Sequence, residues 1–202
     1  MDQAAGRQQA LGRYVIGTVW RGATHPLNGV VRQSATRAEF TFANESSKSG
    51  QMALQKLNWK KGRGKLGILA PLMGSWMAEA DSPMGKLNCT RTFESVLGSN
   101  YVQLTAKWNF GKSVYEEHAM LGMQEGVLSF WSFTSDGKNS KGQLSDGTDV
   151  HPHAICFEAQ MPAGIARMIY WPHPEEGFNW AVESKTKKGW NRFTLHHYKA
   201  LK

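Results

Sequence analysis

Tyr101-Val-Gln-Leu-Thr-Ala-Lys-Trp-Asn-Phe110 alternates without a break. Val102, Leu104, Ala106, Trp108 and Phe110 fall on one side, and Gln103, Thr105, Lys107 and Asn109 on the other. Successive side chains of an extended chain point to opposite faces, so this period of two marks a half-buried antiparallel strand. Downstream, Ile155, Phe157, Ala159 and Met161 alternate with Cys156, Glu158 and Gln160, and Phe178, Trp180 and Val182 with Asn179, Ala181 and Glu183.

Turn signals separate these runs along the whole C-terminal part. They are Ser82-Pro83, Gly98-Ser-Asn100, Gly111-Lys112, Gln124-Glu-Gly126, Ser135-Asp-Gly-Lys-Asn139, Ser145-Asp-Gly147, Pro162-Ala-Gly164, Pro172-His-Pro174 with Gly177, and Lys187-Lys-Gly189. No long helical periodicity follows residue 73, and Pro71 limits the one short helical candidate, Gly67–Met73. About ten evenly spaced strands predict an all-β fold, a closed antiparallel up-and-down barrel with a short helical turn before its first strand. Closure leaves no exposed edge; a two-sheet sandwich is the competing arrangement.

The chain has 202 residues, of which 41% are hydrophobic, enough for a sizeable core. Its 24 basic and 16 acidic residues give a formal charge of +8, a balance compatible with anionic partners but usual for a solvated surface. Cys89 and Cys156 are too few for a disulfide framework or a cysteine zinc site, which fits buried thiols in a reducing, cytoplasmic setting. No apolar run is long enough to span a membrane, and Arg7 and Arg13 interrupt any secretory signal.

Residues 1–51 have a different texture, with five arginines, no lysine and one acid up to Ala38. They read as an N-terminal extension ahead of a start at Met52, or as an organelle-targeting segment. Either reading predicts poor order, a short element around Tyr14–Trp20, a boundary at Ser46–Gly50 and a barrel domain over residues 52–202.

Leu69-Ala-Pro-Leu-Met-Gly-Ser-Trp-Met-Ala-Glu-Ala-Asp81 joins the helical turn to a Gly-x-Trp that opens the first strand. This resembles the lipocalin and calycin group of β-barrels. The resemblance implies that Trp76 closes the narrow end and that Arg192 on the last strand packs across it by cation–π attraction. Arg91-Thr-Phe-Glu-Ser-Val-Leu-Gly98, Tyr101-Val-Gln, Tyr115-Glu, Gly122 and Trp131-Ser-Phe-Thr-Ser-Asp-Gly137 resemble an uncharacterised bacterial lipocalin-like family, over residues 66–202. His196-His-Tyr-Lys-Ala-Leu201 is similar in place to the last strand of nitrobindin-like haem barrels, which implies His197 as a haem ligand. The Gly-rich, Tyr-Pro segment of those proteins has no counterpart in Met77–Pro83.

No catalytic motif names a reaction. The primary expectation is therefore a non-enzymatic barrel that binds a small hydrophobic or amphipathic ligand. Its expected lining is Val102, Leu104, Trp108, Trp131, Phe133, Phe157, Met168, Tyr170, Trp180 and His197, with Met84, Met120, Met123 and Met161 as adaptable fill. A barrel lyase or isomerase would use Glu116 and His118 as a base and its orienting partner, though Tyr115, Ala119 and Leu121 put that pair on the polar face. His151, His153 and His173, with Asp149, are the only metal-like grouping, and a loop of titrating histidines accounts for them equally well. Lys56, Lys60, Lys61, Arg63 and Lys65 around Trp59, with Lys185, Lys187 and Lys188, carry the nucleic-acid alternative. A homodimer is compatible with all of these readings.

Overall fold

The computed structural model describes residues 59–82, 85–111 and 113–201. The expected extension 1–51, its element at Tyr14–Trp20, the boundary at Ser46–Gly50, Lys56 and Met84 lie outside them. A 3-10 helix, Gly67–Leu72, leads into ten strands: β1 Gly74–Ser82, β2 Gly85–Val96, β3 Tyr101–Phe110, β4 Ser113–Gln124, β5 Val127–Thr134, β6 Asn139–Ser145, β7 Ile155–Met161, β8 Gly164–Pro172, β9 Phe178–Thr186 and β10 Gly189–Ala200. Each strand pairs antiparallel with its neighbour in sequence, and β1 meets β10 to close the barrel. Among the described residues, the turn signals fall at the junctions of consecutive strands. The sandwich alternative is excluded.

Local chemistry explains the turns. Between β4 and β5, Glu125 and Gly126 both have positive φ, at 50° and 83°, the two-residue hairpin turn whose twist matches the flanking strands. Inside the barrel, a Cβ on Gly142 of β6 would lie 2.4 Å from the Phe130 ring and 2.4 Å from the Glu158 carbonyl. A glycine there leaves Phe130 free to lie edge-on to Phe157 at 5.7 Å.

One end of the barrel is plugged. Leu69 and Leu72 of the 3-10 helix are fully buried, and the Trp76 indole donates to the Leu72 carbonyl at 2.7 Å. Trp76 also meets Phe178 edge-on at 4.9 Å, and Phe178 stacks on Tyr198 at 5.3 Å. Arg192 takes no part in this closure, contrary to the expectation from resemblance. Trp76 pairs with Ala200, eight positions further along β10 than Arg192. Arg192 instead lies on the outer face, bonded to Glu183 at 2.7 Å and over the Trp171 ring.

The cause is a β-bulge. Arg192 pairs with Glu183 and Thr194 with Val182, so Phe193 is the extra residue and the phase of β10 flips across it. Past the bulge, Thr194, His196 and Tyr198 share the inward registers of Val182, Trp180 and Phe178. Leu195 is left exposed, and His197 faces outward. A slip of one residue exchanges the two faces of a strand, so the expected inward His197 becomes an inward His196.

Candidate functional site

Period two places a charged residue inside this barrel. Leu87, Cys89, Arg91 and Phe93 alternate along β2 and are all buried, and Arg91 is wholly closed to solvent. Its guanidinium sits in an aromatic cage. The central carbon lies 3.9 Å from the Trp180 ring, 5.2 Å from Trp108, 5.6 Å from Tyr198 and 5.9 Å from Tyr170. Nε donates to the Tyr198 hydroxyl and Nη1 to the Tyr170 hydroxyl, each at 3.2 Å. Burial works against a charge here, yet the two hydroxyls and the Glu117 carboxylate keep the guanidinium protonated, its pKa above the ordinary arginine value. Burial also pushes the Tyr170 phenol up to about 12 and that of Tyr198 well above its usual range, so both remain neutral donors and acceptors.

Glu117 comes from β4, on the same face as Tyr115, Ala119 and Leu121 and in register with Ala106. Its Oε1 accepts a 2.6 Å bond from the Ser132 hydroxyl of β5, and its Oε2 lies 4.0 Å from Arg91 Nη2. His196 approaches from β10, its ring 5.4 Å from that of Trp180. Desolvation, reinforced by the Arg91 charge, depresses its pKa to about 4, so the imidazole is neutral. Burial pushes the Cys89 thiol, on the inner face beside Arg91 and Tyr198, up to about 12, which removes it as a nucleophile at neutral pH.

Beyond this cluster, toward the end opposite Trp76, the barrel encloses a cavity of about 60 Å³. Trp108, Phe130, Phe157, Met168, Trp180 and Val182 supply its apolar walls, while Glu117, Ser132, Thr134, Ser140 and Thr194 supply polar ones. Apolar walls with a few convergent polar groups are the ordinary composition of a small-molecule site. No family model matches the chain, and no curated protein does. The architecture itself, a closed ten-strand antiparallel barrel, is consistent with a lipocalin- or calycin-like fold.

Among the expected lining residues, Trp108, Phe157, Met168 and Trp180 border the cavity. Val102 and Leu104 are buried in the core rather than on the cavity, and Tyr170 is held beneath it by Arg91. Trp131 and Phe133 are corrections. In β5 the buried alternation is Leu128, Phe130 and Ser132, so Trp131 lies outside near Lys141, and Phe133 is 60% exposed. Aromatic residues stand on both faces of Val127–Thr134, so hydrophobicity alone does not choose the phase.

The lyase pair is likewise outside. His118 is exposed, and Glu116 forms a 2.7 Å ion pair with Lys107 on the solvent face. The haem assignment fails on two counts. His197 is outward, stacked on His173 at 3.5 Å with its Nε2 2.7 Å from the Glu176 carbonyl oxygen, and a cavity of about 60 Å³ cannot hold a porphyrin. His151 lies 5.7 Å from His153 while His173 stacks elsewhere, and no metal-binding group of three or more ligands forms among the described residues. Trp59 is committed to packing, tilted against Phe178 with its indole donating to the His153 carbonyl at 2.9 Å. The basic segment Lys60–Lys65 leads into the plugged end, whereas Lys185, Lys187 and Lys188 belong to the β9–β10 hairpin at the other, so they make no single basic stripe. No helix among the described residues is long and apolar enough to cross a membrane.

Sequence reasoning passed over Arg91, Glu117, Ser132 and His196. The first two were visible in alternation, since Arg91 shares the phase of Cys89 and Phe93, and Glu117 that of Tyr115 and Ala119. His196 was hidden by the bulge.

Proposed function

We propose that the barrel is a binding protein that takes a small, mainly apolar molecule into the cavity above the Arg91 cage. The observation that carries this reading is the cavity itself: apolar on most sides, bordered by Glu117 and Ser132, and placed at the end opposite the Trp76 plug. Its size sets the scale. Drug-sized ligands occupy pockets of roughly 300–1,000 Å³, so about 60 Å³ suits a few-atom ligand or the tip of a longer amphipathic one. Met168, unbranched and half-buried on the wall, is the side chain best able to yield to a larger guest.

Ala166 lines the cavity from β8, so Ala166→Leu fills it from within. Native mass spectrometry of the purified protein should show a retained small molecule, and xenon should enter the cavity, as read by its NMR shift. Both signals should vanish in Ala166→Leu, while Leu195→Ala on the exposed outer face should leave them unchanged. An unliganded protein that also excludes xenon ends this reading.

A further inference from the structure

Next to the cavity, whose walls include both Trp108 and Trp180, several buried polar atoms stand unpaired. Arg91 Nη2, Trp108 Nε1 and Trp180 Nε1 are buried and have no hydrogen-bond partner among the described residues, and His196 Nδ1 is in the same state. These groups are neighbours. The Arg91 guanidinium lies against both indole rings, the two indoles are 6.2 Å apart, and His196 adjoins Trp180. Buried polar groups are nearly always paired, so a cluster of unpaired ones in a single place calls for an explanation.

The guanidinium and both indoles are obligate donors, because neither group can accept. Of the acceptors nearby, Glu117 Oε1 already receives Ser132, and Oε2 stops 4.0 Å short of Arg91 Nη2. The Tyr170 hydroxyl already accepts from Arg91 and donates to the Met168 sulfur at 3.2 Å; the Trp180 indole lies near enough to act on the phenol but short of hydrogen-bonding geometry. Arg91 Nη2 and the two indoles therefore have no acceptor within reach. An amine head could address Glu117 but would leave these three donors unmet.

Charge narrows the class further. Arg91 and Glu117 already balance, and the His196 imidazole is neutral. A carboxylate ligand would put a second negative charge beside Glu117 in a low-dielectric interior, which is strongly unfavourable. An uncharged oxygen with two lone pairs meets both conditions, since it accepts two donors and leaves the balance intact. Trp108 and Trp180 are themselves cavity walls, so the apolar body of such a ligand would lie along the residues that border the space.

We propose that the inner end of the cavity recognises an uncharged carbonyl oxygen, which makes the ligand class an apolar ketone or ester. This rests on the ligand-binding reading above and deepens it.

The test is a titration of the full-length protein with 2-pentanone, pentanoate, pentylamine and pentane, matched in skeleton and different in head group. The indole N–H resonances of Trp108 and Trp180, assigned through Trp108→Phe and Trp180→Phe, provide the readout. The ketone should bind about tenfold or more tighter than the other three, as expected for a satisfied against an unsatisfied buried donor. It should also shift both indole resonances. Each Trp→Phe variant should narrow the preference for ketone over pentane, which separates a lost hydrogen bond from a general loss of packing. Tighter binding of pentanoate, pentylamine or pentane overturns the carbonyl assignment and leaves the ligand reading standing. Ketone binding that moves neither indole does the same. Failure of all four compounds to bind removes the ligand reading and the assignment together.

Discussion

Two arginines are buried in this barrel, one inside and one outside, and their surroundings differ in kind. Arg167, outward on β8, is 4% exposed and fully matched. It bonds Asp149 through two nitrogens at 2.8 and 2.7 Å and Glu183 at 2.7 Å, and lies 4.1 Å over the Trp190 ring. Glu183 in turn holds Arg192 at 2.7 Å. The network ties the β6–β7 connection across the outer face, where Gly147 comes close enough to Cys156 that a Cβ would stand 2.8 Å from the cysteine's own. Arg91, held against four rings, has hydroxyls for partners, a carboxylate 4.0 Å away and an unpaired Nη2. A structural ion pair is closed because every donor has an acceptor. The inner guanidinium, caged by rings, keeps a donor to spare.

Breaking the outer network should have the largest effect. Glu183→Ala leaves Arg167 short of one buried partner and frees Arg192, and should cost roughly 3 kcal/mol in denaturant unfolding, in the range for breaking a buried pair. The inner pair should respond differently. Replacing both charges, Arg91→Met with Glu117→Leu, should change stability by only about 1 kcal/mol, because an apolar substitute for an incompletely matched pair is often neutral. The same double variant should lose all ketone-dependent shifts of the Trp108 and Trp180 indoles. A loss of stability as large as that of Glu183→Ala would show that Arg91 is structural, like Arg167.

Acid sharpens the contrast by two routes with the same sign and different windows. The His196 pKa is depressed to about 4 in the folded state, so the unfolded chain takes up its proton first as pH falls. Stability attributable to neutral His196 is intact above pH ~6.5 and declines from there down to pH ~4. His196→Phe should flatten that part of the pH–stability curve. Asp149 is held below the usual aspartate range by its hydrogen bonds to Arg167, so its contribution is intact above pH ~4 and lost on further acidification. Because Asp149 is largely exposed, Asp149→Asn should remove less than ~1 kcal/mol, the smallest of these effects.

How much could be read in advance varied strand by strand. In β3, β7 and β9 one face is apolar and the other polar, so alternation named the inward residues correctly, Trp108, Phe157 and Trp180 among them. In β5 both faces carry aromatics, so alternation points to Trp131 and Phe133 as readily as to the buried Phe130. In β4 the inward face contains Glu117, a residue type whose polarity argues for solvent until a buried arginine is found opposite it. In β10 the pattern was sound on either side of Phe193 but reversed across it.

By itself, then, the sequence determined the all-β class, an approximate strand count, the places where the chain turns and the short helical turn before the first strand. These follow from short-range rules: period two, turn chemistry, and the need to cover edges. Only the tertiary structure decided which of two neighbouring residues enters the barrel in β5 and β10, Ser132 or Phe133, His196 or His197. A strand's phase depends on its register with partners distant in sequence, and one bulge can invert it. The candidate site joins two such choices to Arg91 and Glu117, and for that reason it came together only when the barrel was closed.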